Sequence, residues 1–202
     1  MILKLKQWLT RVAAPDAATV NSTSSPSSPN VAAASTRILM VCTGNICRSP
    51  TAEAVLRQKL VAAGLDRTVR VDSAGTHGSH IGEAPDPRAI RRGAARGYEL
   101  AAIRARPFQP VDFLHHAWIL AMDQTNLEWL KRKAPPDYAG RIELLLGYGS
   151  RHPDEREVPD PYYGSPAGFD RVLDLVEDAC EGVVERLKAD AHASREAGLG
   201  KG

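Results

Sequence analysis

Ile38-Leu39-Met40-Val41-Cys42-Thr43-Gly44-Asn45-Ile46-Cys47-Arg48-Ser49-Pro50-Thr51-Ala52-Glu53 reads as a buried strand, a tight turn and the opening of a helix. The apolar run Ile38 to Val41 has the length of a strand and ends at a cysteine. A short loop containing Gly44 follows, then Pro50 near the first helical positions, where its missing donor costs nothing. The run Ala52 to Leu60 continues as helix. Cys42 therefore stands on a strand-to-helix turn, facing the positive end of a helix dipole.

That placement has chemical consequences. Successive N–H groups from Thr43 to Arg48 converge on one point and form a nest for an anion. Arg48 adds a planar, two-pronged donor to the same point. An oxyanion held there lies against Cys42, and the same positive field favours the thiolate. A thiolate under a bound phosphate is set for attack at phosphorus through a cysteinyl-phosphate. Ser49 can donate to the sulfur and favour its departure in a second step. The plainer reading is a structural cysteine beside a helix-capping serine. A cysteine followed after five residues by Arg-Ser, at a strand–helix junction, is much more specific than either residue alone.

Cys42-Thr43-Gly44-Asn45-Ile46-Cys47-Arg48-Ser49-Pro50 resembles the phosphate loop of the low-molecular-weight protein tyrosine phosphatases, including their bacterial members. A second motif of that family, Asp-Pro-Tyr-Tyr, is matched late in the chain by Asp160-Pro161-Tyr162-Tyr163. The resemblance runs from about Arg37 to about Lys188.

Around these motifs the chain divides into three parts. Residues 1–36 are an N-terminal extension, 37–189 a single domain, and 190–202 a small polar tail expected to fray. The formal net charge is +2, and all of it falls in the extension, where Lys4, Lys6 and Arg11 face Asp16. The domain is thus neutral overall and offers no basic field for nucleic acid. Leu5, Trp8, Leu9 and Val12 share one helical face, which suits a weak interfacial membrane helix, but a disordered leader is the preferred reading. Ala13 to Thr36 is rich in Ala, Ser, Pro and Asn and reads as a linker. Three cysteines, two of them in one motif, make no disulfide framework and point to a reducing, cytoplasmic setting.

Within the domain, strands at Ile38–Cys42, Val69–Ala74, Ala117–Met122 and Ile142–Leu145 alternate with helices. The helices are expected up to Gly64, from Pro85 to Arg96, from Thr125 to Lys133 behind a cap at Asp123, and from Ser165. This alternation predicts an α/β fold: a four-stranded parallel sheet with helices on both faces. Ligands of such sheets bind beyond the carboxyl ends of the strands, where Cys42 and Asp123 lie.

The resemblance implies roles for particular residues. Cys42 is the nucleophile, Arg48 binds phosphate, and Asp160 is the general acid that protonates a leaving phenolate and then activates water. Thr43, Gly44, Asn45, Ile46, Cys47 and Ser49 complete the phosphate cradle. Tyr162 and Tyr163 flank the mouth of the cleft. Asn45 and Ser73 form a supporting pair, and Asn tolerates a positive φ better than most residues. Ser79 and His80 lie in a supporting loop that departs from the family, whose members often carry Trp or Tyr where this chain has Ser79. Cys47 has two readings, a partner for a reversible disulfide with Cys42 or a small core residue; Cys180 reads as core. No histidine shows metal-ligand spacing, and the adjacent His115 and His116 read as surface. No metal or cofactor is implied.

Two other functions share parts of this pattern. Thiol-dependent arsenate reductases use the same fold but need further cysteines in a later segment, and Ser73 to Leu100 contains none. A non-catalytic phosphate-binding regulator would need no intact triad, whereas Cys42, Arg48 and Asp160 are all present. Ile46 favours phosphotyrosine over phosphoarginine, since the related phosphoarginine enzymes usually have Thr there. The resemblance further implies a phosphotyrosine protein as partner, with a bacterial tyrosine autokinase as one such protein. It also implies a monomer or a weak dimer.

Overall fold

Val41 and Leu120 lie at the centre of four parallel strands because both faces of their strands are covered by helices, so every position there is apolar. The computed structural model describes residues 36–199. The amphipathic and linker readings of residues 1–35 lie outside the described residues. The elements run β1 (Thr36–Cys42), α1 (Arg48–Ala62), β2 (Val69–Gly75), α2 (Pro87–Ala95), a one-turn α3 (Asp112–His115), β3 (Trp118–Ala121), α4 (Gln124–Lys133), β4 (Arg141–Leu144), a 3-10 turn (Leu145–Tyr148) and α5 (Pro166–Leu199).

The strand order is β2-β1-β3-β4 and every pairing is parallel. Alternation along β1 assigns its side chains to two layers. Ile38, Met40 and Cys42 pack with Leu56 and Leu60 of α1 and with Leu173, Val176 and Val183 of α5. Leu39 and Val41 pack on the other face with Phe113, Leu127 and Leu130. A smaller cluster joins Ile46 and Cys47 to Ala89, Leu100 and Phe169 under α2. Strand order reverses at β1, with β2 on one side and β3 on the other, so the crevice at its carboxyl end is the natural ligand site.

Most boundaries fall within a residue or two of the sequence reading. Gly64 ends α1 with φ of 68°, a conformation that costs glycine nothing. The Asp123 carboxylate caps α4 by accepting from the Asn126 N–H at 2.7 Å. Two expectations are corrected. The last helix does not stop near Ala189 but continues to Leu199. Ala191, Ala193, Arg195, Glu196 and Ala197 are good helix formers, which the polar composition disguised. His116 is not a surface residue. It is 5% exposed, with Nδ1 2.9 Å from the Asp112 carbonyl and Nε2 3.3 Å from Asp72. The chain becomes extended at His116 directly after the single turn of α3, and this turns the ring inward while His115 stays exposed.

Candidate active site

Residues 43–47 join β1 to α1, and this loop must turn its amides inward without a long connection. Asn45 makes the turn with φ of 57°, the one positive value for a non-glycine among the described residues. Its side chain is fully buried and has three partners. Nδ2 donates to Ser49 Oγ at 2.9 Å and to Ser73 Oγ at 2.8 Å, while Oδ1 accepts from the Arg106 N–H at 2.9 Å. The expected pairing of Asn45 with Ser73 is thus present. Gly75 closes β2 beneath the loop, where a Cβ would meet the Thr43 carbonyl oxygen at 2.8 Å, so no larger residue fits there.

The sequence did not single out the next link. Ser73 Oγ donates to Glu53 at 2.5 Å, and Glu53 also pairs with Arg57. Burial pushes the Glu53 carboxyl up, against the opposing pull of Ser73 and Arg57. The residues Cys42, Ser49, Asn45, Ser73 and Glu53 therefore form one continuous, buried polar chain. Its direction is set by donor count. Asn45 supplies both amide hydrogens, so Ser49 and Ser73 accept from it and give their own protons elsewhere. Ser49 Oγ lies 3.0 Å from Cys42 Sγ and 3.4 Å from the Ala74 carbonyl. With a thiolate at Cys42, the Ser49 proton goes to sulfur. The Asn45 N–H donates to the same sulfur at 3.3 Å.

Arg48 opens α1 and is 3% exposed. Its Nη1 donates to Asp123 at 2.5 Å and to the Val158 carbonyl at 3.4 Å. Its Nη2 donates to Asp160 at 3.0 Å and to Thr43 Oγ1 at 3.3 Å. Burial opposes the charge, but Cys42, Asp160 and Asp123 outweigh it and the Arg48 pKa goes up. Asp123 thus acts twice, as a helix cap and as an anchor for the guanidinium. Asn126 donates to Thr43 Oγ1 at 3.3 Å, and its Oδ1 is buried without a partner among the described residues. Neither Asn126 nor Glu53 carries a local sequence signal, because both act through contacts made only in the folded chain.

These groups line a cleft of about 340 Å³. Its floor is Cys42, Thr43, Gly44, Ile46, Cys47 and Arg48. Its walls are His77, Ser79 and His80 on one side and Asp160, Tyr162 and Tyr163 on the other. Asn45, Ser49 and Ser73 stand behind the floor rather than in it. Burial pushes the Cys47 thiol up to about 12, helped by Asp86 and Cys42. Cys42, Cys47 and Cys180 are all free thiols, and Cys180 lies in the main core. The wall that holds Ser79 carries one aromatic ring, that of His80. The His80 ring faces Tyr162, with centroids 6.5 Å apart, and its Nδ1 lies 2.9 Å from Glu83. Tyr163 is 96% exposed and packs edge-on against Tyr162. A larger groove of about 620 Å³ along β4 is lined by Lys131, Arg141, Glu143 and Arg186, with no cysteine, serine or threonine among the described residues that line it.

A cysteine that accepts from the Asn45 N–H, with a buried arginine and an opposing carboxylate lining the same cleft, defines a thiol-based phosphate-ester site. Residues 37–193 match the family model of the low molecular weight phosphotyrosine protein phosphatases. A low molecular weight protein-tyrosine-phosphatase of Streptomyces coelicolor is 43% identical over 154 residues, covering 75% of this chain and 93% of that protein. The human low molecular weight phosphotyrosine protein phosphatase is 38% identical over 152 residues, covering 74% and 94%. A crystal structure of a protein tyrosine phosphatase from Entamoeba histolytica, with Hepes in the active site, superposes with a TM-score of 0.74. It shares 39% identity and covers 78% of this chain and 99% of its own. The chain belongs to the low-molecular-weight phosphotyrosine protein phosphatase family. It is accordingly a hydrolase of the protein-tyrosine-phosphatase class.

Proposed function

We propose that this chain removes phosphate from tyrosine side chains of proteins, with Cys42 as nucleophile, Arg48 as phosphate binder and Asp160 as general acid and base. The arrangement of Arg48 carries the reading. One buried guanidinium reaches from the Asp123 anchor across the loop to Asp160, so nucleophile, electrophile-binding cation and acid meet at one point.

In the first step the Cys42 thiolate attacks phosphorus while the bond from phosphorus to the aryl oxygen breaks. Asp160 gives its proton to that oxygen, so a phenol leaves rather than a phenolate. Amides from Thr43 to Arg48 and the Arg48 fork hold the equatorial oxygens as charge develops. In the second step the Asp160 carboxylate takes a proton from water, the water oxygen bonds to phosphorus, and the phosphorus–sulfur bond breaks. The electron pair returns to sulfur, where the Ser49 hydroxyl stabilises it. Thr43, Gly44, Ile46 and Cys47 form the floor, and Asn45 and Ser73 keep that floor in shape. Tyr162, Tyr163 and His80 enclose the substrate ring, and Ser79 leaves room beside it.

Residues 37–189 form the catalytic domain in this reading, and residues 1–36 and 190–202 lie outside the chemistry. The helical course of 190–199 does not change that assignment. A phosphotyrosine protein is the partner, a bacterial tyrosine autokinase being one protein of that kind. The chain works in the cytoplasm as a monomer or weak dimer. The need for a free thiol supports that compartment, and no helix among the described residues is long and apolar enough to cross a membrane.

The test is hydrolysis of 4-nitrophenyl phosphate and of a phosphotyrosine peptide by the full chain, without added metal. Turnover of both by wild type, abolished in Cys42→Ser, is expected. Absence of turnover by folded, reduced wild type would refute the proposal.

A further inference from the structure

Asp160 hangs on a loop between the end of β4 and the start of α5, and its carboxylate is half exposed. Its register matters, because an acid displaced by an ångström from the leaving oxygen loses most of its use. Three contacts hold it. The Val158 N–H donates to the Met122 carbonyl at 2.8 Å and fixes the loop upstream. Arg48 pairs with Asp160 directly, but that prong is the one a bound phosphate competes for. The third contact is the Tyr162 N–H, which donates to Asp160 Oδ1 at 3.2 Å.

The other side of Tyr162 is held by Arg88. Arg88 Nη2 donates to the Tyr162 carbonyl at 2.9 Å, and Nη1 reaches the Gly164 carbonyl at 3.4 Å. The guanidinium lies 4.6 Å from the ring centroid of Phe169, a buried residue near the start of α5. Its Nε and Nη2 donate to the two oxygens of Asp86 at 3.0 and 2.8 Å. Asp86 is itself fixed twice. Its carboxylate caps α2, and its own N–H donates to the Ile46 carbonyl at 2.7 Å. One series of contacts therefore runs from the phosphate loop at Ile46, through Asp86 and Arg88, to Tyr162, whose carbonyl is held by Arg88 and whose N–H holds Asp160.

We infer that Arg88 is a positioning residue that sets the distance between the Asp160 carboxyl and the leaving oxygen held over Cys42. The inference rests on the reading of Asp160 as the acid. A guanidinium is required for the geometry: it grips a carboxylate with one edge and two carbonyls with the rest, while a lysine ammonium is a single point charge. Arg88 is not among the residues that line the cleft, so its loss weakens proton delivery and leaves phosphate binding intact.

Leaving-group dependence reads this out. Phenyl phosphate releases a more basic oxygen than 4-nitrophenyl phosphate and so depends more on the acid. The experiment measures kcat/KM for both esters, and inhibition by orthophosphate, in wild type, Arg88→Met, Arg88→Lys, Asp160→Ala and the Arg88→Met/Asp160→Ala double variant. For Arg88→Met we expect kcat/KM on phenyl phosphate to fall on the order of tenfold or more, with a smaller fall on the nitrophenyl ester. The orthophosphate Ki should stay within about twofold of wild type, since uniform binding is untouched. Arg88→Lys, which keeps the charge and the stem over Phe169, should show the same order of effects in reduced measure, and it decides the matter if the Met variant does not fold. Added to Asp160→Ala, the Arg88→Met change should cost nothing further. Equal falls on both esters, a Ki that rises in step, or full additivity in the double variant would overturn the inference. A leaving-group effect in Asp160→Ala but none in the Arg88 variants would overturn the inference alone. Its absence in Asp160→Ala would overturn the role of Asp160, and the inference with it.

Discussion

Replacing Asn45 tests whether the phosphate loop is held by the polar chain behind it or by its own backbone. Asn45→Ala removes two donated bonds, to Ser49 and Ser73, and one accepted bond, from Arg106. At about 1 kcal/mol net for each, these sum to about 3 kcal/mol. Alanine at φ of 57° adds a further cost of about 1 kcal/mol. The expected loss is roughly 3–5 kcal/mol, a large share of the ~5–15 kcal/mol that holds a domain of this size. Asn45→Gly loses the same bonds but not the strain. Against that, glycine has more freedom to lose on folding, roughly 0.5–1 kcal/mol. Glycine should therefore be the milder replacement, by up to about 0.5 kcal/mol. Urea unfolding reports both values as a shift in midpoint at unchanged slope. A loss below about 1 kcal/mol for Asn45→Ala would refute the hydrogen-bond accounting. Glycine proving worse than alanine would refute the strain argument.

Three other outcomes follow from the same structure. Ser49→Ala removes a donor to the departing thiolate, a contact worth about 1.5–3 kcal/mol, so the steady state should slow by roughly 10–100-fold while the initial burst of nitrophenol persists. Equal slowing of burst and steady state in stopped flow would contradict it. His80→Ala should raise KM for 4-nitrophenyl phosphate by about three- to tenfold, the value of one aromatic wall, with orthophosphate inhibition unchanged. A parallel change in both constants would show His80 to be a loop support only. Asp178 is buried in α5 and accepts from the Arg151 N–H at 2.9 Å and its guanidinium at 3.1 Å. Burial pushes this carboxyl up, but the bonds from Ser150 and Arg151 outweigh it and its pKa lies below the ordinary value. A lowered folded pKa gives stability that is present above the unfolded value of about 3.9 and is lost as pH falls through the folded one. Asp178→Asn should thus be less stable by about 1–3 kcal/mol at neutral pH, and the gap to wild type should close below about pH 4. A gap that stays constant with pH would contradict the assignment.

How much of this was legible in the chain depends on the range over which each feature acts. Cys42, Arg48 and Ser49 belong to one continuous turn, so their spacing carried both the fold and the chemistry. The four strands were legible because the apolar runs of β1 and β3 are too short and too uniformly buried for helices. Asp123 was placed correctly at a strand end and at a helix cap, yet its bond to Arg48 joins the segments that follow β1 and β3 and has no local signature. Glu53 sits inside the quoted motif, but it looks like any helical acid until Ser73 arrives from β2. Arg88 looks like a solvated arginine behind a proline, and its contacts with Tyr162 and Gly164 come from residues more than seventy positions later. His116 was misread because one turn of helix is too brief for periodicity to reveal which way its end faces. The aromatic ring on the Ser79 side of the cleft is that of His80, which only the folded loop brings opposite Tyr162.

The central claim is that phosphate passes through the sulfur of Cys42. It is tested most directly by mixing Asp160→Ala with 4-nitrophenyl phosphate, quenching rapidly, and mapping the phosphate adduct by peptide mass spectrometry. With the acid removed, an activated ester can still phosphorylate the thiolate, but the base that activates water is gone, so the adduct accumulates. The account predicts phosphate on the Cys42 peptide, and none in the Cys42→Ser protein treated the same way. Release of nitrophenol with no adduct on Cys42, or turnover that survives Cys42→Ser, would contradict it.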